Sequence, residues 1–361
     1  MKILIVTTWL PTTAAPTSGI FIDRDIRALS RVADVRVLHL VSPTVDDGTR
    51  RTSIGNVPVL RLPMAPTNPL SVARAARQIR ALLGWADLLH TMAVSTLVPM
   101  ALLRPRLAWV HTEHWSGFAA PRSGIGNLAI GALGRLLARP SVVCAVSDDL
   151  AGRLRDVGAR RVEVVPNIVE SAGEPQPMPK RDGRHLHIIG VGGLIPRKQP
   201  LATAAAAQVL VQRGYTVELT WIGDGPLAED LRAAALAGGV TLHMPGIVPA
   251  GEIAGYMAEA DVFMVPSTSE TFFLGAAEAL AAGRPVVTGD NGGQKAFVTA
   301  PFGAMVGGED PQALADAALQ VVEAARAATP EEIAGPIRQR YSAEELARRY
   351  MEIYSALVNE K

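Results

Sequence analysis

Cysteine is nearly absent: Cys144 is the only one in 361 residues. No intrachain disulfide can form, and no cluster of cysteine and histidine has the spacing of a zinc site. Cys144 lies in the run Ser141-Val142-Val143-Cys144-Ala145-Val146 and is read as a small buried hydrophobe. Charge is sparse too, at 19% against 48% hydrophobic, and the formal net charge is only +1. A disordered chain and a uniformly basic nucleic-acid binder are both excluded. Long apolar runs are missing. The longest uncharged stretch, residues 88–103, carries His90, Thr96 and Pro99 and falls short of the ~20 residues a membrane span needs. The opening Lys2-Ile3-Leu4-Ile5-Val6, with Ala14-Ala15 beyond it, has the outline of a signal peptide. The first strand of an α/β fold has the same outline and is the assignment taken. Together these absences describe a soluble protein of a reducing compartment, expected in the cytoplasm.

What is present divides in two. The length exceeds one ordinary core and suits two domains of about 150–180 residues. Residues 1–165 hold 20 Lys and Arg, nineteen of them Arg, against 11 Asp and Glu; residues 166–361 hold 15 against 23. A basic front half joined to an acidic back half points to two domains facing different chemistry. Strands are predicted at residues 3–6, 35–40, 57–62, 87–90, 108–111, 142–146 and 162–165, then at 186–191, 217–222, 241–244, 262–265 and 285–288. They are apolar without strict alternation and are separated by helical stretches such as 71–83 and 128–138, the pattern of parallel sheets covered on both faces.

The pattern breaks once, in a segment with Pro175, Pro177 and Pro179 at alternate positions and no apolar period. It reads as an extended, semi-rigid linker. The expected organisation is a domain over residues 1–170, a linker over 171–184, a second domain over 185–340 and a terminal helix over 341–361. Asp310-Pro311 announces one late helix. Ser342 and Glu345 form a capping-box pattern before the last one, whose apolar face is Leu346, Tyr350, Ile353 and Leu357.

The stretch Ser267-Thr268-Ser269-Glu270-Thr271-Phe272-Phe273-Leu274-Gly275-Ala276-Ala277-Glu278 follows an apolar strand and runs into a helix. It sets one carboxylate in a loop and another inside the helix, on either side of unsatisfied helix amides that suit an anion. That arrangement fits a ligand with hydroxyls flanking a diphosphate. It also fits a helix with one glutamate near its positive end and another in solvent. A second loop, Gly190-Val191-Gly192-Gly193-Leu194-Ile195-Pro196-Arg197-Lys198, delivers two cations at the carboxyl edge of a strand. Gly223-Asp224-Gly225-Pro226-Leu227-Ala228 matches part of a dinucleotide pattern, but the acidic ribose partner that pattern needs is missing.

In order along essentially the whole chain, these pieces resemble the retaining, GT-B-fold glycosyltransferases of glycosyltransferase family 4. The loop Pro16-Thr17-Ser18-Gly19-Ile20-Phe21 is similar to that family's glycine loop, Val110-His111 to its strand-ending histidine, and Glu270 to Glu278 to its two-glutamate motif. Ala282-Gly283-Arg284-Pro285 and Gly292-Gly293 follow in place. The resemblance implies an α/β chain of two doubly wound Rossmann-like domains facing a central cleft, with the C-terminal helix crossing back to the first domain. It implies transfer of a sugar, with retention, from a nucleotide-diphosphate sugar to a hydroxyl acceptor. A UDP-sugar is foremost, with GDP- or dTDP-sugars as alternatives, and neither cofactor nor metal is expected. Glu270 would meet donor-sugar hydroxyls and Glu278 the ribose. His111 would sit over the sugar. Gly19, Arg197, Lys198 and the amides around Thr271, Phe272, Phe273 and Leu274 would hold the diphosphate.

Four positions depart from the family pattern: Phe273 and Gln199 where glycine is usual, Gly193 where arginine is common, and Ala296 where an acid is frequent. The hydroxyl acceptor, with anionic and lipid-linked molecules among the alternatives, is expected on the first domain. Glu113 and His114, in Thr112-Glu113-His114-Trp115-Ser116-Gly117-Phe118, are candidates to bind it, though the same segment fits a loop packing Trp115 and Phe118. Arg74, Arg77, Arg80, Arg104, Arg106, Arg122, Arg135 and Arg139 suit an anionic acceptor, a peripheral contact with the inner face of a membrane, or plain solvent exposure. A nucleotide-sugar epimerase, a dinucleotide-dependent oxidoreductase and a non-catalytic nucleotide-sugar sensor remain the rival readings.

Overall fold

A computed structural model describes residues 1–115, 117, 133–170, 173–181 and 184–360. Ser116, Phe118, Arg122 and part of the helix expected over 128–138 lie outside them. The chain divides into two compact units, Met1–Ile168 with Ala343–Lys361, and Val169–Ser342. No helix among the described residues is long and apolar enough to cross a membrane.

Unit 1 is built on eight strands: β1 Lys2–Thr7, β2 Asp34–Val41, β3 Arg51–Ile54, β4 Val57–Pro63, β5 Leu88–Met92, β6 Ala108–Glu113, β7 Val142–Ala145 and β8 Val162–Val164. Their order is β3-β4-β2-β1-β5-β6-β7-β8, parallel except for β3 against β4. β1 is buried from Ile3 to Thr7 and β5 throughout, because helices cover both faces. The helix Pro69–Leu83 shows the local logic. Asn68 accepts the amides of Leu70 and Ser71, proline fills the first position, and Val72, Ala75, Ala76 and Ile79 face inward. The last helix, Ala343–Asn359, belongs to this unit and buries Leu346, Ala347, Tyr350, Tyr354 and Leu357 in its core.

Unit 2 carries β9 His185–Val191, β10 Thr216–Ile222, β11 Thr241–Gly246, β12 Val262–Val265, β13 Val286–Gly289 and β14 Gly303–Val306, all parallel, in the order β11-β10-β9-β12-β13-β14. The order reverses at β9 and β12, so the loops leaving their carboxyl ends diverge around a crevice. β3 and β14, each only four residues long, were not expected from the sequence: Arg51-Thr52-Ser53-Ile54 has a single apolar residue, and Gly303-Ala304-Met305-Val306 a single β-branched one. The proline segment, expected as an extended, semi-rigid linker, lies within unit 2, where the Arg284 guanidinium donates to the carbonyls of Gln176, at 2.5 Å, and Pro177, at 2.8 Å.

Candidate functional site

The loops after β9 and β12 meet at the switch point of unit 2. Glu270 is 9% exposed, and its two carboxylate oxygens are treated differently. Oε1 accepts from Lys198 Nζ at 2.6 Å, Ser267 Oγ at 2.7 Å and Arg197 Nη1 at 2.9 Å. Oε2 has no hydrogen-bond partner among the described residues. The carboxylate is therefore fixed through one oxygen while the other stays available. Its backbone is fixed as well, by Glu270 N to Asn291 O and Gly293 N to Glu270 O. The two loops are also sewn together, Thr268 N and Ser267 Oγ both donating to Arg197 O.

Two cations against one carboxylate leave this cluster with a spare positive charge. Burial pulls the Lys198 ammonium below its ordinary pKa, and the Glu270 carboxylate opposes that shift. Lys198 Nζ also stands 4.5 Å over the Phe273 ring. Next to it begins the helix Leu274–Ala281, with Phe273 as its N-cap. Ala277 N is the first amide to find a helical carbonyl, that of Phe273, so the amides of Leu274, Gly275 and Ala276 have no partner inside the helix. A buried ammonium, a guanidinium and a helix N-terminus converging on one crevice form a place for phosphate oxygens.

The other sequence-predicted residues of unit 2 fall into two groups. Thr271 and Glu278 are half-buried, Glu278 in the second turn of the helix. Phe272 is 2% exposed and its ring is taken up by packing against Phe297 and Tyr341, with centroids 5.3 and 5.2 Å away. Only its backbone is left for a ligand. The Gly223 turn, which matched half a dinucleotide pattern, braces the phosphate loop instead. Gly223 has φ 137°, and a Cβ there would lie 2.1 Å from Gly192 O, so glycine permits the two loops to touch. Trp221 Nε1 donates to the same Gly192 carbonyl at 2.9 Å. Sequence reasoning missed Ser267 and Trp221. A lone hydroxyl and a lone indole carry no spacing signal; the position of Ser267, three residues before Glu270, was its only trace.

In unit 1 the expected residues are placed differently. Gly19 has φ 66° and caps the helix Ile20–Leu29; a Cβ would lie 2.5 Å from the Trp9 carbonyl group, so this loop closes only on glycine. His111 sits inside β6 with no exposed surface. Its Nδ1 is 2.8 Å from Thr91 Oγ1, and its Nε2 is 3.4 Å from Glu113 Oε2. With a carboxylate facing Nε2, that nitrogen carries the proton and Nδ1 accepts from the Thr91 hydroxyl.

Glu113 ends the strand rather than opening a loop, and it too has no exposed surface. Its Oε1 accepts the amides of His114 and Trp115, each at 2.8 Å. Glu113, expected to help bind the acceptor, has its carboxylate engaged by His111 and by the turn after β6 in this structure. His114 is 6% exposed, with its ring centroid 4.5 Å from that of Phe21. Burial lowers its pKa to about 4, so it is a neutral ring at ordinary pH. Asp23 and Asp25, two residues apart in the helix Ile20–Leu29, do not converge on a common point: Asp23 pairs with Arg27 at 2.5 Å and Asp25 is buried.

Comparison with known proteins follows the same two-unit division. Residues 24–172 match the model described as Glycosyltransferase Family 4, and residues 185–324 match that described as Glycosyl transferases group 1. Among curated proteins, the amylovoran biosynthesis glycosyltransferase AmsK of Erwinia amylovora is 30% identical over 237 residues, 59% of this chain and 58% of that protein. A D-inositol 3-phosphate glycosyltransferase of Paenarthrobacter aurescens is 37% identical over 141 residues, 37% of this chain and 34% of its own length. The matched segments thus span about a third to just over half of these relatives. Two solved structures share the fold over nearly the whole chain. Sucrose-phosphate synthase from Thermosynechococcus elongatus has TM-score 0.80 and 18% identity, covering 100% of both chains. HepE of Anabaena, solved with UDP and glucose, has TM-score 0.76 and 19% identity, covering 99% of this chain and 100% of its own. With one glycosyltransferase model on each half and two parallel-sheet Rossmann-like units beneath them, the chain belongs to the GT-B-fold glycosyltransferases.

Proposed function

We propose that the protein transfers a glycosyl group, with retention of configuration, from a nucleotide-diphosphate sugar to a hydroxyl acceptor. The observation that carries this is Glu270, with Oε1 saturated by three donors and Oε2 open beside two cations and a helix N-terminus. The open oxygen accepts from a sugar hydroxyl. Lys198, Arg197 and the amides of Leu274, Gly275 and Ala276 take the diphosphate, and Glu278, in the same helix, the ribose. In the reaction the bond between the anomeric carbon and the diphosphate oxygen breaks, and a bond from that carbon to the acceptor oxygen forms. The acceptor's proton passes to the departing phosphate oxygen on the same face. The protein's task is to stabilise the negative charge that grows on the leaving group and the positive charge on the sugar. The spare positive charge beside Glu270 supplies the first without calling on a metal.

A structural neighbour and a curated relative favour a nucleotide donor without agreeing on one base. HepE is solved with UDP-glucose, and a Mycobacterium tuberculosis relative, 27% identical, is named GDP-mannose-dependent. A thermal-shift screen of UDP-, GDP- and dTDP-sugars should find one class that raises the melting temperature, followed by acceptor-dependent release of the nucleoside diphosphate. Glu270→Ala should lower that release at least about tenfold, since a partner of the reacting sugar is lost. Donor binding with no release in the presence of any acceptor would instead mark a sensor. Unchanged kinetics in Glu270→Ala would remove the carboxylate from the site.

A further inference from the structure

Lys198 lies in a slot with three walls, and its side chain is only 12% exposed. On one side it passes so close to Gly192 that a Cβ there would stand 3.1 Å from Lys198 Cε. On another, Nζ is 4.5 Å from the centroid of the Phe273 ring. At the end stands Glu270 Oε1, 2.6 Å away and the one hydrogen-bond acceptor of Nζ among the described residues. The charged groups that face the ammonium are this carboxylate and the Arg197 guanidinium.

Packing alone does not account for the ring. Phe273 holds φ 78°, a conformation that side chains resist and glycine does not. The ring does meet Phe263, with centroids 5.7 Å apart, but apolar filling needs no left-handed backbone. Strain kept beside a ligand crevice points to function, and what this backbone gains is a π face under an ammonium. A lysine is a flexible stem with a strongly hydrated charge. Burial strips that water, and the electron-rich ring replaces part of the lost attraction. An ammonium has three donors. With one given to Glu270 and the charge drawn to the ring, it keeps donors for a third partner and is already ordered when that partner arrives.

We propose that Phe273 is a positioning residue of the diphosphate site, acting through Lys198: its ring keeps the ammonium charged and in place against Glu270. This role rests on the donor site proposed above, and its first test needs no ligand. The lysines are Lys2, Lys180, Lys198, Lys295 and Lys361, so the full chain carrying 13C at the lysine ε carbons gives few signals, and Lys198→Met assigns the one of interest. The Lys198 ε protons should be shifted upfield by the ring, and Phe273→Leu should abolish that shift. Trifluorophenylalanine placed at position 273 keeps the shape of the ring but weakens its π face. It should lower the titration midpoint of Lys198 by about one pH unit. Calorimetry then follows UDP, GDP and dTDP. Whichever of them binds should bind about fivefold more weakly to Phe273→Leu at neutral pH. With trifluorophenylalanine, the alkaline pH at which binding fades should move down together with the amine. An absent ring shift, or a Lys198 midpoint indifferent to fluorination, overturns the proposal and leaves the donor site standing. So does binding that Phe273→Leu leaves undiminished. Failure of all three diphosphates to bind the unaltered chain overturns the donor reading instead, and with it any diphosphate role for Phe273, even where the ring and the amine are coupled as expected.

Discussion

Phe273 and Gln199 hold backbone conformations that side chains resist, with φ of 78° and 54°. Both stand where the resembled family usually carries glycine, and both border the Glu270 cluster. The left-handed region costs an L-residue about 1–2 kcal/mol, so this chain accepts strain where glycine would have none. At 273 the ring repays it: Phe273 is 3% exposed, 5.7 Å from the Phe263 ring and beneath Lys198. A reversal of the usual ranking follows. Truncating a buried phenylalanine costs about 3–5 kcal/mol, yet Phe273→Gly should be more stable than Phe273→Ala by about 1 kcal/mol. In an ordinary helix interior glycine is the worse of the two by a similar amount. Urea unfolding of the two variants checks this, and the ordinary order would mean that position 273 is not left-handed. At this scale the sequence was readable where chemistry has a pattern, as with the Glu270 and Glu278 pair and the Arg197-Lys198 tip. It was silent on Ser267 and Thr91, because a single hydroxyl gains its meaning only from what the fold brings to it.

Among the elements, central strands and capped helices were the most legible. Apolar runs such as Val262-Phe263-Met264-Val265 and caps such as Asp310-Pro311 announce themselves locally; the Asp310 side chain does accept from Gln312 N. Of the four edge strands, β8 and β11 announced themselves in the same way and the four-residue β3 and β14 did not. The terminal helix shows both cases. Its apolar spacing named Tyr350 as inward-facing, but nothing in that spacing indicates the polar chain the helix completes. Tyr354 OH lies 2.7 Å from His90 Nδ1, His90 Nε2 lies 2.7 Å from Thr112 Oγ1, and Thr112 Oγ1 lies 2.9 Å from Tyr350 OH. All four side chains are fully buried. Burial raises both tyrosine pKa values and lowers that of His90, so the ring is neutral and the hydroxyls are protonated. Tyr354→Phe leaves His90 Nδ1 unpaired in the core, at a cost of about 1–3 kcal/mol. Thermal unfolding should show the loss. An unchanged melting temperature would mean that the helix holds by its apolar face alone.

For the molecule as a whole, the buried histidines are unevenly shared. Burial holds His39 and His114 at about 4 and His90 well below its ordinary value, all in unit 1; in unit 2, His187 is lowered in the same way. Below about pH 6.5 the unfolded chain takes up protons that these folded sites refuse. Their contribution is complete above that pH and is lost as the pH falls towards 4. A shift of that size is worth about 3 kcal/mol per histidine. Asp25, raised by burial, works in the opposite direction. Calorimetry from neutral pH downward should therefore show the unfolding of unit 1 moving to lower temperature ahead of that of unit 2. Two transitions moving together would contradict this distribution of acid sensitivity.

The helix Ala343–Asn359 also sets an order of assembly. Unit 2, Val169–Ser342, is one uninterrupted segment, whereas unit 1 is written in two pieces around it. On the ribosome, the strands of unit 1 emerge first but wait for Leu346, Tyr350, Tyr354 and Leu357 until the whole of unit 2 has been made. At about 5–20 residues per second, that leaves an apolar face and the lone His90 uncovered for roughly ten seconds or more. The second unit to be translated is thus the first that can finish folding, and the nascent first unit is the part that most needs a chaperone.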